Sequence, residues 1–534
     1  MGTLFEDLLS PEAYLGVRAS AVELRQTHIS AVYLLDRDVF KVKRPVDFGF
    51  LNFTTLALRK VACEAEAALN RRLSPDVYIG VVPIFLDSSG RYLVGADGKI
   101  PSDGAEVVDY AVHMQRIPDN ERADVLLEKG LLGLSEVDRI ATRIAAFHGD
   151  CEPSPGGREL EFVRENVREN FVQTQHVLSR YLTPTEMAEL QAFQLGTLES
   201  QAPIFQARAL QGALRDGHGD LRLEHVYLRP DGNLTILDCI EFNDRFRFGD
   251  VASDLAFLTM DLAHHRRVDL AERLLSVYAR ETNDFDLYSV IDFYEGYRAF
   301  VRAKIATFMA LDPNASHALK QLAGEEARSY FLLALSAPRT PVMPKAVIAV
   351  GGLIAAGKST LADWLSGELG GPVIEADRTR KHMLGVAATT RVNDGAFTGA
   401  YDKGFTDRVY TEMNRRAAVV LQSGRPVILD ASFRSPKMRQ AAREVARACN
   451  APFLFIECRA PAAICKARLM EREAQKNAVS DGRLAIFDDF AKEWQPVTEL
   501  SENEILAVDT SCPRSETEAR VKAHIATWPP GFVG

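Results

Sequence analysis

Ala346-Val-Ile-Ala-Val350, followed almost at once by Gly352-Leu-Ile-Ala-Ala-Gly357-Lys358-Ser359-Thr360, decides the fold of the last third of this 534-residue chain. The first stretch is a short apolar run of the kind that forms a buried strand. The second satisfies G-x-x-x-x-G-K-[ST], the pattern of a loop whose backbone N–H groups close around phosphate oxygens. Leu361, Leu365 and Leu369 then recur at helical spacing, so the loop opens a helix whose N-terminus adds partial positive charge. In that arrangement Gly352, Ala355, Ala356, Gly357 and Thr360 line the phosphates of ATP or GTP. Lys358 reaches the terminal phosphates, and the Ser359 hydroxyl holds Mg²⁺. Strand and helix patterns alternate from here onward, which argues for a parallel α/β sheet.

Working outward, Val373-Ile-Glu-Ala-Asp377-Arg-Thr-Arg380 is an apolar strand that ends in a carboxylate. The carboxyl edge of such a sheet is where ligands bind. Asp377 can there take the proton of an acceptor hydroxyl, and Arg380 can clamp the acceptor or the transferring phosphoryl group. Val427-Ile-Leu-Asp430 is a second strand ending in aspartate, placed to support Mg²⁺. Arg459, Arg468 and Arg472 frame a helix starting near Pro461, with Arg468 and Arg472 on one face. Arginines on a lid neutralise phosphoryl charge. The polar stretch from Gln475 to Leu484 is the expected mobile part.

Ala337-Pro-Arg-Thr-Pro-Val-Met-Pro344 holds three prolines and reads as a stiff connector. The expected domains are therefore 1–336 and 345–534. The first divides into a strand-rich lobe to about residue 118 and a helical lobe after it. In the first lobe, alternation around Asp36-Arg37-Asp38 predicts a hairpin, and a helix is expected from Thr55 to Arg72. One short strand pair, about 225–238, interrupts the helices. Arg298 and Arg302, four apart on a helix, read as a solvated basic face, with contact to an acidic substrate as the alternative.

Composition limits the function. Residues from Lys345 to the end carry 26 Lys+Arg against 23 Asp+Glu, a charge of +3; the remainder carries 37 against 50, or −13. Neither part has the basic excess of a general nucleic-acid binder. Seven cysteines lie singly with no CxxC pair, as expected of reduced thiols in a cytosol. No apolar run reaches the length of a membrane span. The opening residues lack a basic leader, and Glu6 stands where a myristoylation motif wants Ser or Thr. A soluble cytoplasmic protein is expected.

Together the phosphate loop, Asp377-x-x-Arg380, the strand-end Asp430 and the late paired arginines resemble the small P-loop kinases. That group includes the polynucleotide, gluconate and zeta-toxin types. The resemblance to polynucleotide 5′-hydroxyl kinases implies that Asp377 is the general base and that Arg380 contacts acceptor phosphate. It implies more weakly that Arg468 and Arg472 are lid arginines.

His218-Gly-Asp220-Leu-Arg-Leu-Glu-His225, the strand Thr235-Ile-Leu-Asp238 and Gly249-Asp250-Val-Ala-Ser-Asp254-Leu-Ala resemble the aminoglycoside phosphotransferase-like kinases, choline and fructosamine kinase relatives among them. The resemblance implies Asp220 as base, Asp238 as a Mg²⁺ ligand and Asp250 as a scaffold acceptor. His225 stands where that family has Asn, and imidazole is a poor ligand for Mg²⁺. Glu224, Glu241 or water then completes the metal site, or the domain binds metal weakly. Lys41 or Lys43, on one strand face, would pair with phosphates, Lys41 being favoured. Glu66, or its rival Glu64, would be the ion-pair partner. Asp109 to Gln115 would be the hinge strand, with Met114 near the adenine site.

Both halves in this order resemble a bacterial fusion of an aminoglycoside phosphotransferase-like domain with an AAA-type or gluconate-kinase-like ATPase. The resemblance implies a tandem kinase moving phosphoryl groups from ATP or GTP to hydroxyls of small-molecule acceptors. Its alternative is a P-loop kinase, with a small-molecule or nucleic-acid 5′-hydroxyl acceptor, governed by a non-catalytic sensing domain.

Overall fold

The computed structural model describes residues 3–49, 51–101, 104–154, 158–313, 315–473 and 479–529. Residues 475–478 of the expected mobile stretch lie outside the described residues. The chain divides into two compact units, one of residues 1–169 with 205–261 and one of residues 170–204 with 262–534.

The first unit is built on seven strands: β1 (Tyr14–Leu15), β2 (Glu23–Gln26), β3 (Ser30–Leu34), β4 (Asp38–Lys43), β5 (Tyr78–Leu86), β6 (Tyr92–Gly95) and β7 (Glu106–Gln115). They lie in the order β1-β6-β5-β7-β4-β3-β2. The expected hairpin is β3 and β4, antiparallel and closed at Leu35 to Asp38. The expected helix runs Leu56–Asn70, with the Thr55 hydroxyl accepting from the Leu58 N–H as its cap. It buries Ala62, Cys63, Glu66, Ala67 and Asn70, one face at 3–4-residue spacing. Two short antiparallel pairs complete the unit: β8 (Leu214–Asp216) with β11 (Phe248–Asp250), and β9 (Val226–Leu228) with β10 (Leu234–Ile236). The second pair is the one read in the sequence.

The second unit contains β12 (Val347–Gly352), β13 (Val373–Glu375), β14 (Val427–Asp430), β15 (Phe453–Arg459) and β16 (Ile505–Asp509). All are parallel, in the order β13-β14-β12-β15-β16. Every residue of β12 is buried, as expected for a central parallel strand covered on both faces. The helix Lys358–Leu369 buries Leu361, Leu365 and Leu369 against it.

Helices Val268–Thr282, Ile291–Leu311 and His317–Leu335 belong to this same unit. Arg425, fully buried, donates to Glu272 at 2.9 Å and to Asp292 at 2.8 Å. Arg339, within the Pro-rich stretch, pairs with Glu272 and with Glu295. Removing one member of such a network leaves an uncompensated buried charge, at a cost of about 3–5 kcal/mol. Arg298 and Arg302 do not form a solvated face. Arg298 is 7% exposed and lies over Tyr297, and Arg302 lies over Tyr330 and donates to Glu326. The aromatic rings around them draw the guanidinium planes inward. Among the described residues no helix is long and apolar enough to cross a membrane, and all seven cysteines are free thiols.

Candidate functional sites

Each unit gathers one set of the candidate residues. In the second unit the phosphate loop follows β12. Gly352 has φ 143°, and a Cβ there would come 2.4 Å from the Cys458 carbonyl oxygen; Gly357 has φ 84°. Only glycine meets both demands. Lys358 donates from Nζ to the Leu353 carbonyl at 2.8 Å, so its ammonium lies across the loop's own mouth. Asp430, at the end of the neighbouring strand, takes a hydrogen bond from the Ser359 hydroxyl. Burial raises the pKa of Asp430 against the pull of Lys358. Glu375 stands level with it on β13, and burial raises its pKa to about 7 against the pull of Arg378.

Asp377 and Arg380 follow on the helix Ala376–Met383. Both line a cavity of about 340 Å³, together with Lys358, Ser359, Asp430 and Arg472. Among the described residues the Asp377 carboxylate has no hydrogen-bond partner. Arg380 is 4% exposed, donates Nη1 to the Ala400 carbonyl at 2.5 Å and stacks on Tyr401 at 4.4 Å. Among the described residues its buried Nε has no hydrogen-bond partner.

A second cavity, of about 410 Å³, shares Ala355, Gly357, Thr360 and Arg472 with the first and adds Arg468, Thr510 and Cys512. Arg468 donates to the carbonyls of Ala355 at 3.3 Å and Thr510 at 2.6 Å. The Thr510 hydroxyl donates to Ala356 at 2.8 Å. Arg468 therefore holds the loop's shape, while Arg472 faces both cavities. Arg459 lines neither and pairs with Glu457.

The sequence reading missed Glu375, Thr510 and Arg434. The ExD spacing of Glu375 and Asp377 was a usable signal. Arg434 and Thr510 had none, because only the folded sheet brings them beside the loop.

In the first unit Lys41 and Lys43 both reach Glu66. Lys41 lies 2.9 Å from it, and Lys43 pairs with its other oxygen. Glu64 instead pairs with Lys60 on the surface. Lys41 also binds Asp238 at 2.6 Å, and Lys43 binds Glu241. Met114 is buried beside Val39, Tyr78 and Leu237.

Asp220 is gripped by Arg222 through two bonds, of 3.0 and 3.1 Å. Arg222 also pairs with Glu224. His225 faces the Asp220 carbonyl through Nδ1 at 2.8 Å and the Arg222 guanidinium through Nε2 at 3.3 Å. The carbonyl only accepts and the guanidinium only donates, so Nδ1 carries the proton and the Nε2 lone pair is occupied. Asp254 accepts from the backbone N–H groups of His218 at 2.6 Å and Gly219 at 2.8 Å. Asp250 accepts from Arg208 through both oxygens. These two carboxylates hold the loop's shape.

A phosphate loop between a buried parallel strand and a helix, with strand-end carboxylates around a cavity, defines a P-loop nucleotide-binding domain. Residues 347–497 match the family described as "AAA domain". The strand-rich part with its lysine–glutamate pair, followed in the chain by the hairpin of β9 and β10 that Asp220 and Asp238 flank, has a protein-kinase-like architecture.

The chain belongs to one family with the "Uncharacterized protein Rv2004c" of Mycobacterium tuberculosis. The two are 30% identical over 458 residues, 84% of this chain and 86% of that protein. Among solved structures, a choline/ethanolamine kinase family protein from Mesorhizobium loti is similar at 13% identity with a TM-score of 0.36, covering 63% of this chain and 99% of its own. A gluconokinase from Sinorhizobium meliloti 1021 is similar at 19% identity with a TM-score of 0.25, covering 34% and 93%.

Proposed function

We propose that this chain is an ATP- or GTP-dependent phosphotransferase whose transfer site is the cavity at the phosphate loop. In this reading the kinase-like part senses nucleotide or another ligand and transfers nothing. The observation that carries it is the contrast between two aspartates. Asp377 faces a cavity with its carboxylate unbonded among the described residues, while Asp220 is held through both oxygens by Arg222. The chain would comprise a kinase-like domain, 1–336, a linker, 337–344, and a P-loop domain, 345–534. A cytoplasmic setting fits this reading.

The nucleoside would occupy the cavity at Thr510, and its phosphates the loop residues Gly352 to Thr360. Ser359 and Asp430 offer the hard oxygen donors that suit Mg²⁺. When bound, Mg²⁺ supplies charge neutralisation at the phosphates. Asp377 takes the proton of the acceptor hydroxyl as that oxygen bonds to the terminal phosphorus. The bond from phosphorus to the bridging oxygen breaks, and the nucleoside diphosphate leaves. Lys358 and Arg472 balance the developing negative charge, and Arg380 orients the acceptor.

A second reading keeps transfer in both parts, with Asp220 as base and Asp238 and His225 at the metal. The pairing of Lys41 with Glu66 supports it, since a phosphate-binding lysine is held this way in kinases.

Nucleotide turnover with Mg²⁺ across a panel of hydroxyl acceptors tests the proposal. Intact protein is compared with folded Lys358→Ala and Asp220→Ala. Loss of all transfer, by about 10²-fold or more, in Lys358→Ala alone is expected. A separate activity lost only in Asp220→Ala would instead establish tandem transfer.

A further inference from the structure

Asp377 is only as well placed as the helix that carries it. Along Ala376–Met383 consecutive side chains point to different sides. Asp377 and Arg380 line the cavity of about 340 Å³, while Arg378 and Thr379 meet groups behind the helix. Arg378 donates to both oxygens of Glu281, at 3.2 and 3.4 Å, and its Nε lies 3.3 Å from Glu375. The fully buried Thr379 hydroxyl accepts from Arg416 Nη1 at 3.3 Å, and the same nitrogen donates to the Asn283 side chain at 3.2 Å.

Glu281 and Asn283 stand at the C-terminal end of the helix Val268–Thr282. Asn283 ends it at φ 58° and ψ 16°, a left-handed conformation that asparagine tolerates. The same helix also grips the one that the phosphate loop opens. Arg273 and Arg280 both donate to Asp363, at 3.2 and 3.0 Å, and the Ser276 and Ser366 hydroxyls lie 2.8 Å apart. Lys358 and Ser359 begin that second helix. One helix upstream of the Pro-rich stretch thus touches both elements that carry the candidate transfer residues, within a single compact unit.

Arg378 follows Asp377 directly in the chain. A free guanidinium there could close on the Asp377 carboxylate, as Arg222 closes on Asp220. Two other carboxylates occupy it instead, Glu281 from behind the helix and Glu375 from the strand end.

We propose that Glu281 is a positioning residue of the transfer site. Through Arg378 it fixes the helix bearing Asp377 and keeps that carboxylate free to take the acceptor proton. The inference rests on the reading of this cavity as the site of transfer.

The test uses the full chain, with steady-state turnover and hydrogen exchange measured on the same folded variants. Glu281→Gln should lower kcat about tenfold or more and leave nucleotide and acceptor KM within about threefold, because placement is lost and ground-state binding is not. Glu281→Asp should recover part of the rate. Adding Glu281→Gln to Arg378→Gln should cost less than about twofold more, since the first residue acts through the second. Asp286→Asn is the control. It breaks the exposed pair with Arg415, which joins neighbouring elements of the same unit, and should leave kcat within about twofold. In Glu281→Gln the amides of 376–383 should exchange about tenfold faster. Those of 358–369, held through Asp363, should not change.

A kcat in Glu281→Gln within twofold of the intact protein overturns the proposal. An equal loss in Asp286→Asn, or a loss that adds fully to that of Arg378→Gln, also overturns it by reducing Glu281 to general support of the fold. Faster exchange over 376–383 in a protein that transfers nothing sinks the transfer reading and leaves the hold on this helix standing. Transfer that proceeds with both exchange and kcat unaltered in Glu281→Gln does the reverse.

Discussion

Both units gather lysines, arginines and carboxylates at their candidate sites, yet they treat those charges in opposite ways. In the kinase-like part every chemically interesting anion already has a cation. Asp220 is held by Arg222, Asp238 by Lys41, and Glu66 and Glu241 by Lys43. Lys41, despite its burial, keeps its proton tightly because Asp238 and Glu66 surround it. In the P-loop part charges face a cavity: among the described residues the Asp377 carboxylate accepts no hydrogen bond, the buried Arg380 Nε has no partner, and Arg434 lies over the rings of Phe397 and Phe490. A site closed on itself is stable as it stands, whereas an open one is completed by its substrates. That difference is the physical argument for placing transfer at the phosphate loop.

The largest effect expected from it is on catalysis. Asp377→Asn keeps the shape of the side chain and removes its capacity to take a proton. Transfer should fall by about 10²–10⁴-fold, with acceptor KM little changed. The matched Asp220→Asn should alter turnover by less than about twofold. Steady-state kinetics of the two variants side by side measure the contrast directly, and a larger loss in Asp220→Asn would invert the assignment of the two sites.

A smaller effect concerns Mg²⁺. Nucleotide binding that depends on Lys358 should weaken about tenfold when Mg²⁺ is chelated, because hard-oxygen donors and phosphates share the ion. Binding that survives in Lys358→Ala should change by less than about threefold, since Lys41 already occupies Asp238 and Arg222 occupies His225. Fluorescent-nucleotide titrations with and without EDTA separate the two. Equal Mg²⁺ dependence would mean that Asp238 exchanges Lys41 for metal, and the closed picture of this part would be wrong.

How much of this was legible in the sequence depends on how local each feature is. The phosphate loop is nine consecutive residues, and its strand and helix flank it directly, so reading along the chain suffices. Glu66, Lys41 and Lys43 were readable as a set, but alternation could not choose between two lysines on one face, and in the structure both meet Glu66. Arg434 and Thr510 carry no local signal; only the parallel sheet brings strand ends more than 50 residues apart in sequence around one loop. That residues 262–336 fall in one compact unit with the P-loop sheet is equally hidden. It rests on ion pairs such as Glu272 with Arg425, which are 153 residues apart. Periodicity reports which face of a helix is apolar, not which distant arginine it will meet.

The smallest effect is on stability in acid, and it tests whether the kinase-like loop is held in one charge state. His218 is fully buried. Its Nε2 faces the Leu237 carbonyl at 3.0 Å, and its Nδ1 takes the Asp220 N–H at 3.3 Å. One nitrogen therefore donates and the other accepts, which only a neutral ring can do. Burial accordingly lowers its pKa to about 4, with Asp254 pulling the other way. The folded value lies below the ordinary 6.5, so the unfolded chain binds the extra proton first. The stability His218 contributes is complete above about pH 6.5 and is lost as pH falls toward 4. Between pH 8 and 5.5 this loss amounts to about 1 kcal/mol. Urea unfolding of the intact protein and of His218→Gln should therefore converge by that amount over the interval. Gln can still donate to Leu237 and accept from Asp220 but takes up no proton. Parallel curves would mean that the ring titrates freely in the fold, and that the loop carrying Asp220 tolerates more than one charge state.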